Sequence, residues 1–165
     1  MNVVPFRHMI QASMLGLSKK LIFSIGAVLD IAYNAGAQPV QGREFAARQQ
    51  IPRRYLEPVL QELVRAHILE GVRGPRGGYR LARERRKITL AQIVEAVRST
   101  EIREDATDLP TTESALGQRI VAPMCRDLVK DWMKQLDSIT IEDLCNRARD
   151  AGIEGAAEKT HDFSI

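Results

Sequence analysis

The segment that most constrains the fold is GVRGPRGGYRLAR, residues 71–83, where four glycines, one proline and four arginines lie within thirteen residues. Its centre, Gly74-Pro75-Arg76-Gly77, has the chemistry of a turn, because glycine reaches positive φ at low cost and proline presets its own φ. The flanking stretches, 68–73 and 78–82, are short enough to be strands. We therefore predict a β-hairpin with a basic tip.

A phosphate-binding loop has a similar glycine content, but the context of these glycines argues against it. Such a loop leads directly into a helix that opens with Lys-Ser/Thr, so that backbone amides converge on the phosphate. Here the glycines lead into YRLAR, and the next helical pattern begins only near Thr89. The hairpin is the better interpretation.

The segment before the hairpin, residues 38–69, predicts two short helices joined by a tight turn. The first covers residues 43–49, the turn covers 50–52, and the second helix has one apolar and one polar face. Its inner positions are Leu56, Val59, Leu60 and Leu63, and its outer positions are Arg53, Arg54, Glu57, Gln61 and Arg65. This pattern is typical of a helix-turn-helix, and a hairpin directly after it makes a winged helix.

Helical spacing of apolar residues also marks residues 17–35, a helix beginning at Thr89, a long helix over about 115–138 and a last helix beginning at Thr140. We predict a mainly α fold of the α+β class, a winged helix-turn-helix with a long C-terminal dimerisation helix. The predicted divisions are an N-terminal extension at 1–16, the DNA-binding domain at 17–98, a loop at 99–114, dimerisation helices at 115–150 and a disordered tail at 151–165. Residues 1–13 are either such an extension or the product of an upstream start codon, since Met14 lies close to the first helix.

The long helix needs a partner for its apolar stripe. Packing on its own domain is one possibility, and packing against a twin helix in a dimer is the one we favour. Pro123 is expected to kink this helix or to mark the start of a second segment.

Charge is unevenly distributed along the chain. Residues 17–98 contain 15 Lys/Arg and 7 Asp/Glu, a net charge of +8, whereas residues 99–165 contain 8 and 14, a net charge of −6. A basic front half indicates contact with a polyanion, and chance segregation on a solvated surface is the alternative. No apolar run approaches the ~20 residues of a membrane span and the N-terminus lacks a signal-peptide pattern, so we expect a cytoplasmic protein with no membrane partner.

Together these segments resemble the Rrf-type bacterial transcriptional regulators, a family that includes IscR-, NsrR- and CymR-like proteins. The resemblance is carried by LSKK…LDIAYNAG, RQQIPRRYLEPVLQELVRA, VRGPRGGYRLAR and ITLAQIVEAV, of which the third is the most specific. It extends from about residue 17 to residue 141. It implies a homodimeric winged-helix transcription factor whose long helix crosses its twin, and many members carry a sensing iron–sulfur cluster.

The sequence departs from the family pattern in its DNA-binding domain. Lys20-Leu21-Ile22 replaces the usual Lys-Gly-Arg, which removes one expected phosphate-binding arginine. Gln50 replaces the turn glycine and must adopt any left-handed conformation at a cost of about 1 kcal/mol. Because Pro58 is harmless only within the first turn of a helix, we expect the second helix of the pair to begin at Arg54 or later.

The predicted DNA site has a base-reading part and a phosphate-binding part. In the major groove, arginine pairs with guanine and glutamine with adenine, whereas glutamate accepts from cytosine or rejects wrong bases. The expected base readers are Arg53, Arg54, Tyr55, Glu57 and Gln61. The expected phosphate binders are Lys19, Lys20, Arg43, Arg73, Arg76 and Arg80, with Gly77 and Gly78 permitting close approach of the wing.

The two cysteines, Cys125 and Cys145, match no usual zinc spacing and are too few for a disulfide framework. The resemblance implies that cluster-binding members supply three cysteines from the loop that corresponds to residues 98–114, and this loop has none. We therefore predict no cofactor. Both thiols are interpreted as small buried hydrophobes, with redox-sensing thiols and a cluster with unusual ligands as the alternatives.

The leading hypothesis is a homodimeric transcriptional regulator that reads a palindromic operator in double-stranded DNA through its recognition helix and its Gly/Arg-rich wing. A small-molecule or protein effector is a further possible partner. The alternative is a winged-helix module that binds a protein, with DNA binding weak or lost. An enzyme is not expected, because no Ser/His/Asp or Cys/His arrangement is legible.

Overall fold

The computed structural model describes residues 18–36, 38–104 and 114–155. Its elements are helix α1 (Lys19–Asn34), helix α2 (Gly42–Gln49), helix α3 (Arg53–Arg65), strand β1 (Leu69–Val72), strand β2 (Gly78–Leu81), a 3-10 turn (Arg85–Lys87), helix α4 (Leu90–Glu104), a π-helical turn (Gly117–Val121), helix α5 (Ala122–Asp137) and helix α6 (Ile141–Asp150). This order confirms the predicted winged helix-turn-helix followed by a long C-terminal helix. None of the helices in these ranges is long and apolar enough to cross a membrane.

Helix α1 forms the centre of the fold. Leu21, Val28 and Ile31 are buried along one side, at spacings of seven and three residues that place them on one face of an amphipathic helix. Ser18 caps the helix, because its hydroxyl accepts the Leu21 backbone N–H at 3.1 Å. Helices α3, α4 and α6 all pack against α1, so the first helix joins the DNA-binding part to the C-terminal part.

The helix-turn-helix consists of α2 and α3, which pack together through apolar side chains. Phe45 of α2 and Leu56, Leu60 and Leu63 of α3 are almost completely buried. Gln50 joins the two helices with φ 53° and ψ 34°, the left-handed conformation expected where the family has glycine. The turn is closed by the Ile51 N–H, which donates to the Ala46 carbonyl at 3.1 Å.

The expected start of the recognition helix was wrong, because α3 begins at Arg53 and not at Arg54 or later. Pro58 therefore lies beyond the first turn, where it has no N–H to donate to the Arg54 carbonyl. At its start the Tyr55 N–H donates to the Pro52 carbonyl, three residues back, at 3.0 Å. The buried apolar face of α3 stabilises the helix despite the proline.

The wing is an antiparallel hairpin of β1 and β2, in which Leu69 lies opposite Leu81 and Val72 opposite Gly78. Gly74 has a φ of 112°, which a residue with a side chain rarely adopts. The Gly77 N–H donates to the Gly74 carbonyl at 2.9 Å and closes the tip. Val40, just before α2, pairs with Tyr79 through two backbone hydrogen bonds of 2.8 and 2.9 Å, so the wing is fixed to the start of the helix-turn-helix.

The long C-terminal helix is continuous but changes its hydrogen-bond pattern ahead of Pro123. The Ala122 N–H donates to the Gly117 carbonyl, five residues back, and Val121 keeps right-handed helical angles. Pro123 is the second residue of α5 and directly follows the π-helical turn, so the change in hydrogen-bond pattern accommodates the N–H that proline lacks. The proline therefore marks the start of a second segment, which is one of the two expected outcomes.

Two predicted boundaries were wrong. The loop expected at 99–114 begins later, because α4 continues to Glu104; residues 105–113 lie outside the described residues. The tail expected to be disordered from residue 151 is ordered as far as Gly155, which is buried against Tyr33. The Tyr33 hydroxyl donates to the Ile153 carbonyl at 2.5 Å, and this contact attaches the end of the described chain to α1. The predicted extension at 1–16 and the rest of the tail also lie outside the described residues.

Candidate nucleic-acid interface

An open groove of about 630 Å³ runs between the start of α2, the outer face of α3 and the wing. Four predicted DNA-contacting side chains line it, together with both wing-tip glycines. They are Arg43, Glu57, Gln61 and Arg73, with Gly77 and Gly78. The fold thus brings residues from three separate sequence segments to one surface.

The outer face of α3 presents the predicted base readers. Arg54, Glu57 and Gln61 are exposed, and Tyr55 retains 55% of its surface in solvent. Arg53 is the first residue of α3, and its side chain lies outside the described part of the structure. The exposure of these polar residues follows from the helical period, because the apolar residues of α3 face the core and its polar residues face away from it.

Arg54 and Tyr55 also contact each other. The guanidinium carbon of Arg54 lies 4.8 Å from the centroid of the Tyr55 ring, and an Arg54 Nη2–H donates to the Tyr55 hydroxyl at 3.2 Å. Contact through both the ring and the hydroxyl was not predicted from the sequence, which placed the two side chains as independent readers.

The arginines of the wing divide into two groups. Arg73 and Arg76 are exposed at the tip, as predicted for phosphate binding. Arg80 instead forms an ion pair with Glu70, its partner across the hairpin. Cross-strand pairing places these two opposite charges side by side, so phosphate binding by Arg80 would compete with Glu70 and stays a prediction.

Gly77 and Gly78 are required by packing within the protein itself. A Cβ on Gly77 would lie 2.3 Å from the Val72 carbonyl oxygen, and one on Gly78 would lie 2.4 Å from the Val40 carbonyl oxygen. These distances are too short for any side chain. The two glycines thus have a cause within the protein that the sequence did not reveal, and their role in close DNA approach stays a prediction.

The basic residues near the helix-turn-helix also differ in their availability. Lys19 and Arg43 are exposed. Lys20, by contrast, has its Nζ 2.9 Å from a Glu62 carboxylate oxygen, and both side chains are largely buried. Its ammonium group thus links α1 to α3, and phosphate binding by Lys20, which would require this pair to open, stays a prediction.

An ion pair between a buried aspartate and a partly exposed arginine, which the sequence analysis missed, holds α2 on α1. Arg48 Nε donates to Asp30 Oδ1 at 3.0 Å and Arg48 Nη2 donates to Asp30 Oδ2 at 2.5 Å, while Asp30 is only 7% exposed. The hydrogen bond to Asp30 raises the pKa of Arg48 above its usual value. An acidic residue inside the apolar run IGAVLDIAY was the available indication, because a charge at such a position needs a partner.

The cysteines lie in different environments. Cys145 is fully buried in the core, and burial raises the pKa of its thiol, which disfavours the reactive thiolate. Cys125 is exposed on α5, so the expectation that both thiols are buried was wrong for this residue. A redox role is disfavoured for Cys145 by these properties and stays a prediction for Cys125.

Comparison with known proteins assigns the chain to a family. The model of the Rrf2 family, described as iron-dependent transcriptional regulators, matches residues 17–147. The chain belongs to the Rrf2 family. It is 36% identical over 133 residues to a Synechocystis protein whose name assigns it to the HTH-type transcriptional regulators, a match covering 81% of this chain and 89% of that protein. It is also 30% identical over 148 residues to the Escherichia coli HTH-type transcriptional regulator IscR, covering 88% of this chain and 89% of that one.

Solved structures of Rrf2-type regulators share the fold. T. potens IscR matches with a TM-score of 0.66 and 30% identity, over 81% of this chain and 88% of that one. CymR, the global cysteine regulator of B. subtilis, matches with a TM-score of 0.59 and 25% identity, over 79% and 95% of the two chains. This Rrf2 chain is therefore a transcriptional regulator with a winged-helix fold, and not an enzyme.

The residues of this Rrf2 member do not fit an iron–sulfur cluster held by three cysteines. The chain has two cysteines, of which Cys145 is enclosed in the core and Cys125 is exposed on another helix. Within residues 18–36, 38–104 and 114–155, no three His, Cys, Asp or Glu side chains are grouped so that they could hold a metal ion. Thiolates are the usual ligands of such clusters, so a cluster of the three-cysteine kind lacks its donors here.

Proposed function

We propose that this regulator binds a palindromic operator as a homodimer, with α3 in the major groove and the wing against the adjacent backbone. The groove between α2, α3 and the wing supports the proposal most strongly, because base readers and phosphate binders meet there. Arg54, Glu57 and Gln61 offer groups that distinguish bases, whereas Arg43, Arg73 and Arg76 offer sequence-independent charge. A bacterial regulator of this kind works on DNA in the cytoplasm, as the sequence analysis expects.

The DNA-binding proposal is tested by selecting binding duplexes from a random-sequence pool and measuring affinities by fluorescence anisotropy. Arg76→Ala should weaken all selected duplexes alike, because phosphates carry no sequence information. Arg54→Ala should change which base is preferred at one position per half-site. Arg147→Ala is the matched control, since it removes the same charge from α6, which packs on α1 and on the Arg85–Lys87 turn.

Unchanged binding in both the Arg76 and Arg54 variants would show that this map of the site is wrong. Weak binding by the wild-type protein that is insensitive to salt, beside a tight complex with another protein, would support the alternative of a protein-binding module. Lys20 and Arg80 are paired with acidic partners, which reduces the positive charge available to DNA. Comparing DNA binding with protein binding therefore distinguishes the two proposals.

The dimer is supported by an apolar stripe that the described chain leaves in solvent. Leu116, Ile120, Met124 and Leu128 follow one another at intervals of four residues, and Leu116 and Leu128 are 74% and 62% exposed. Farther along α5, Trp132, Met133 and Leu136 pack against the core. The exposed stripe thus lies on the part of the helix that does not pack on its own domain. A helix that packs against a twin requires this arrangement.

Leu128→Asp should convert the dimer to a monomer of 18.5 kDa, measured by light scattering after size-exclusion chromatography. Lys130→Asp is the control, because it places the same carboxylate roughly 200° around the helix. A wild-type protein that is already monomeric at micromolar concentration would overturn the dimer proposal. The same would follow if the Lys130 variant dissociated and the Leu128 variant did not.

We also propose that regulation in this chain does not use an iron–sulfur cluster. Protein purified without oxygen should show no charge-transfer absorption in the visible region and no acid-labile sulfide. Stoichiometric iron and sulfide that are lost in Cys125→Ser would contradict the proposal. If no cluster is found, the effector must be another small molecule or a protein.

A further inference from the structure

The contact between Arg54 and Tyr55 is the structural feature of the reading helix that the family pattern does not explain. Neighbouring positions on a helix point about 100° apart, so residues one apart do not normally face each other. Here the Arg54 side chain nevertheless lies over the Tyr55 ring and donates to its hydroxyl. Both side chains are exposed, so core packing does not force them together.

We infer that Tyr55 is a positioning residue that holds Arg54 ready to read a guanine in the major groove. The inference rests on the DNA-reading function proposed above. It assigns Tyr55 a different role from that of an independent base reader, because its ring and its hydroxyl both contact Arg54.

The geometry leaves Arg54 able to bind a base while it is held. A cation is attracted to the face of an aromatic ring when it lies within about 6 Å of the ring centroid, and the Arg54 distance of 4.8 Å meets this condition. The hydrogen bonds of a guanidinium leave through its edges, where five N–H groups form a planar fork. One of them is used by the Tyr55 hydroxyl, and the others can reach the O6 and N7 acceptors of guanine.

Holding the side chain in advance should increase discrimination between bases. A long exposed arginine samples many rotamers, and it loses that freedom when it binds a base. Two anchors on one tyrosine, the ring face and the hydroxyl, restrict these rotamers before DNA arrives. A wrong base gains nothing from the restriction, because only guanine offers the paired acceptors.

The experiment uses the full chain and the duplexes that the wild-type protein selects from the random pool. In each half-site, every guanine is replaced in turn by adenine, and the ratio of the two dissociation constants is measured for each position. The variants are Arg54→Ala, Tyr55→Phe, Tyr55→Leu and the double variant Arg54→Ala/Tyr55→Leu. Arg65→Ala, about three turns further along α3, is the matched control for loss of a positive charge on the same helix.

The expected result is specific to one position. Arg54→Ala should abolish the preference for one guanine, and Tyr55→Leu should reduce the preference for that same guanine by about 3- to 10-fold. Tyr55→Phe keeps the ring and should retain most of the preference. In the Arg54→Ala background, Tyr55→Leu should cause no further loss at that position. Thermal unfolding should be similar for all variants, because both side chains are exposed.

Three results would overturn the inference and leave the DNA-reading function intact. Tyr55→Leu could weaken every duplex by the same factor, which would indicate a phosphate contact or a structural role. It could change the preference at a base that Arg54→Ala does not affect, which would make Tyr55 a direct reader. Its effect could also be the same with and without Arg54. Failure of the wild-type protein to select any sequence would instead reject the proposed function itself.

Discussion

Adding one methyl group at Gly78 should detach the wing from the helix-turn-helix. The Cβ of an alanine at this position would lie 2.4 Å from the Val40 carbonyl oxygen and 2.7 Å from the Val40 carbonyl carbon. Both neighbours are backbone atoms, which cannot rotate away as the end of a side chain can. The bridge between Val40 and Tyr79 must therefore open or shift in Gly78→Ala.

The cost follows from the bonds that this bridge contains. The Val40 N–H donates to the Tyr79 carbonyl at 2.9 Å, and the Tyr79 N–H donates to the Val40 carbonyl at 2.8 Å. Each contributes about 1 kcal/mol to folding. Alanine stabilises a compatible position by about 0.4–1 kcal/mol through the unfolded chain, which offsets part of the loss. We expect the free energy of unfolding to fall by about 1–2 kcal/mol.

Gly71→Ala is the matched control in the same hairpin. Gly71 pairs with Tyr79 from the other side, and a Cβ there would meet no atom within 4 Å. This change should leave the free energy of unfolding unchanged or raise it slightly. Urea unfolding followed by circular dichroism measures both variants, and anisotropy with a selected duplex should show weaker DNA binding only for Gly78→Ala.

Equal stability of Gly78→Ala and Gly71→Ala would refute the reasoning. It would mean that the wing moves away from Val40 without cost and that the bridge contributes nothing to folding. Lower stability with unchanged DNA affinity would refute the second step alone, namely that the bridge positions the wing for DNA.

The ion pair between Arg48 and Asp30 and the two cysteines lead to further predictions. Arg48→Met should lower the free energy of unfolding by about 2–4 kcal/mol, because it leaves a carboxylate that is only 7% exposed without its partner. Asp30→Asn should cost about 1 kcal/mol, since the partly exposed guanidinium can be hydrated; the reverse order in urea unfolding would contradict this explanation. In the Leu128→Asp variant, an aromatic disulfide reagent should modify Cys125 at once and Cys145 only after denaturant is added. Equal rates for the two thiols in this variant before denaturant is added would show that the core around Cys145 opens readily.

The parts of the fold that were predictable are those in which local chemistry and the tertiary structure agree. The glycines and proline of residues 74–77 favour a turn, and the spacing of Leu56, Leu60 and Leu63 favours a helix, so the hairpin and α3 follow from the sequence. Gln50 was expected to be left-handed because the turn requires it, and its φ is 53°. The family resemblance was confirmed as well.

The parts that were not predictable depend on contacts between distant segments. Nothing near Gly78 in the sequence shows that Val40 lies against it, and nothing near Lys20 shows that it forms an ion pair with Glu62. The start of α3 was misjudged because the cost of Pro58 was considered without the burial of Leu56 and Leu60, which stabilises the helix around it. Pattern analysis identified which residues are basic, but only the fold shows which of these charges are already paired.

This distinction determines how strongly DNA binding should depend on salt. Of the six predicted phosphate binders, Lys20 and Arg80 are in ion pairs, and Lys19, Arg43, Arg73 and Arg76 are exposed. Affinity falls with salt at a slope of about −0.9 for each phosphate contact in a plot of log K against log salt, so four contacts from each of two protomers give about −7. If Lys20 and Arg80 exchanged their acidic partners for phosphate, six contacts per protomer would give about −11. Anisotropy titrations at several salt concentrations separate these values. Lys20→Gln should then leave the slope unchanged, and a decrease of about 2 in its magnitude would show that the ion pair with Glu62 opens on DNA.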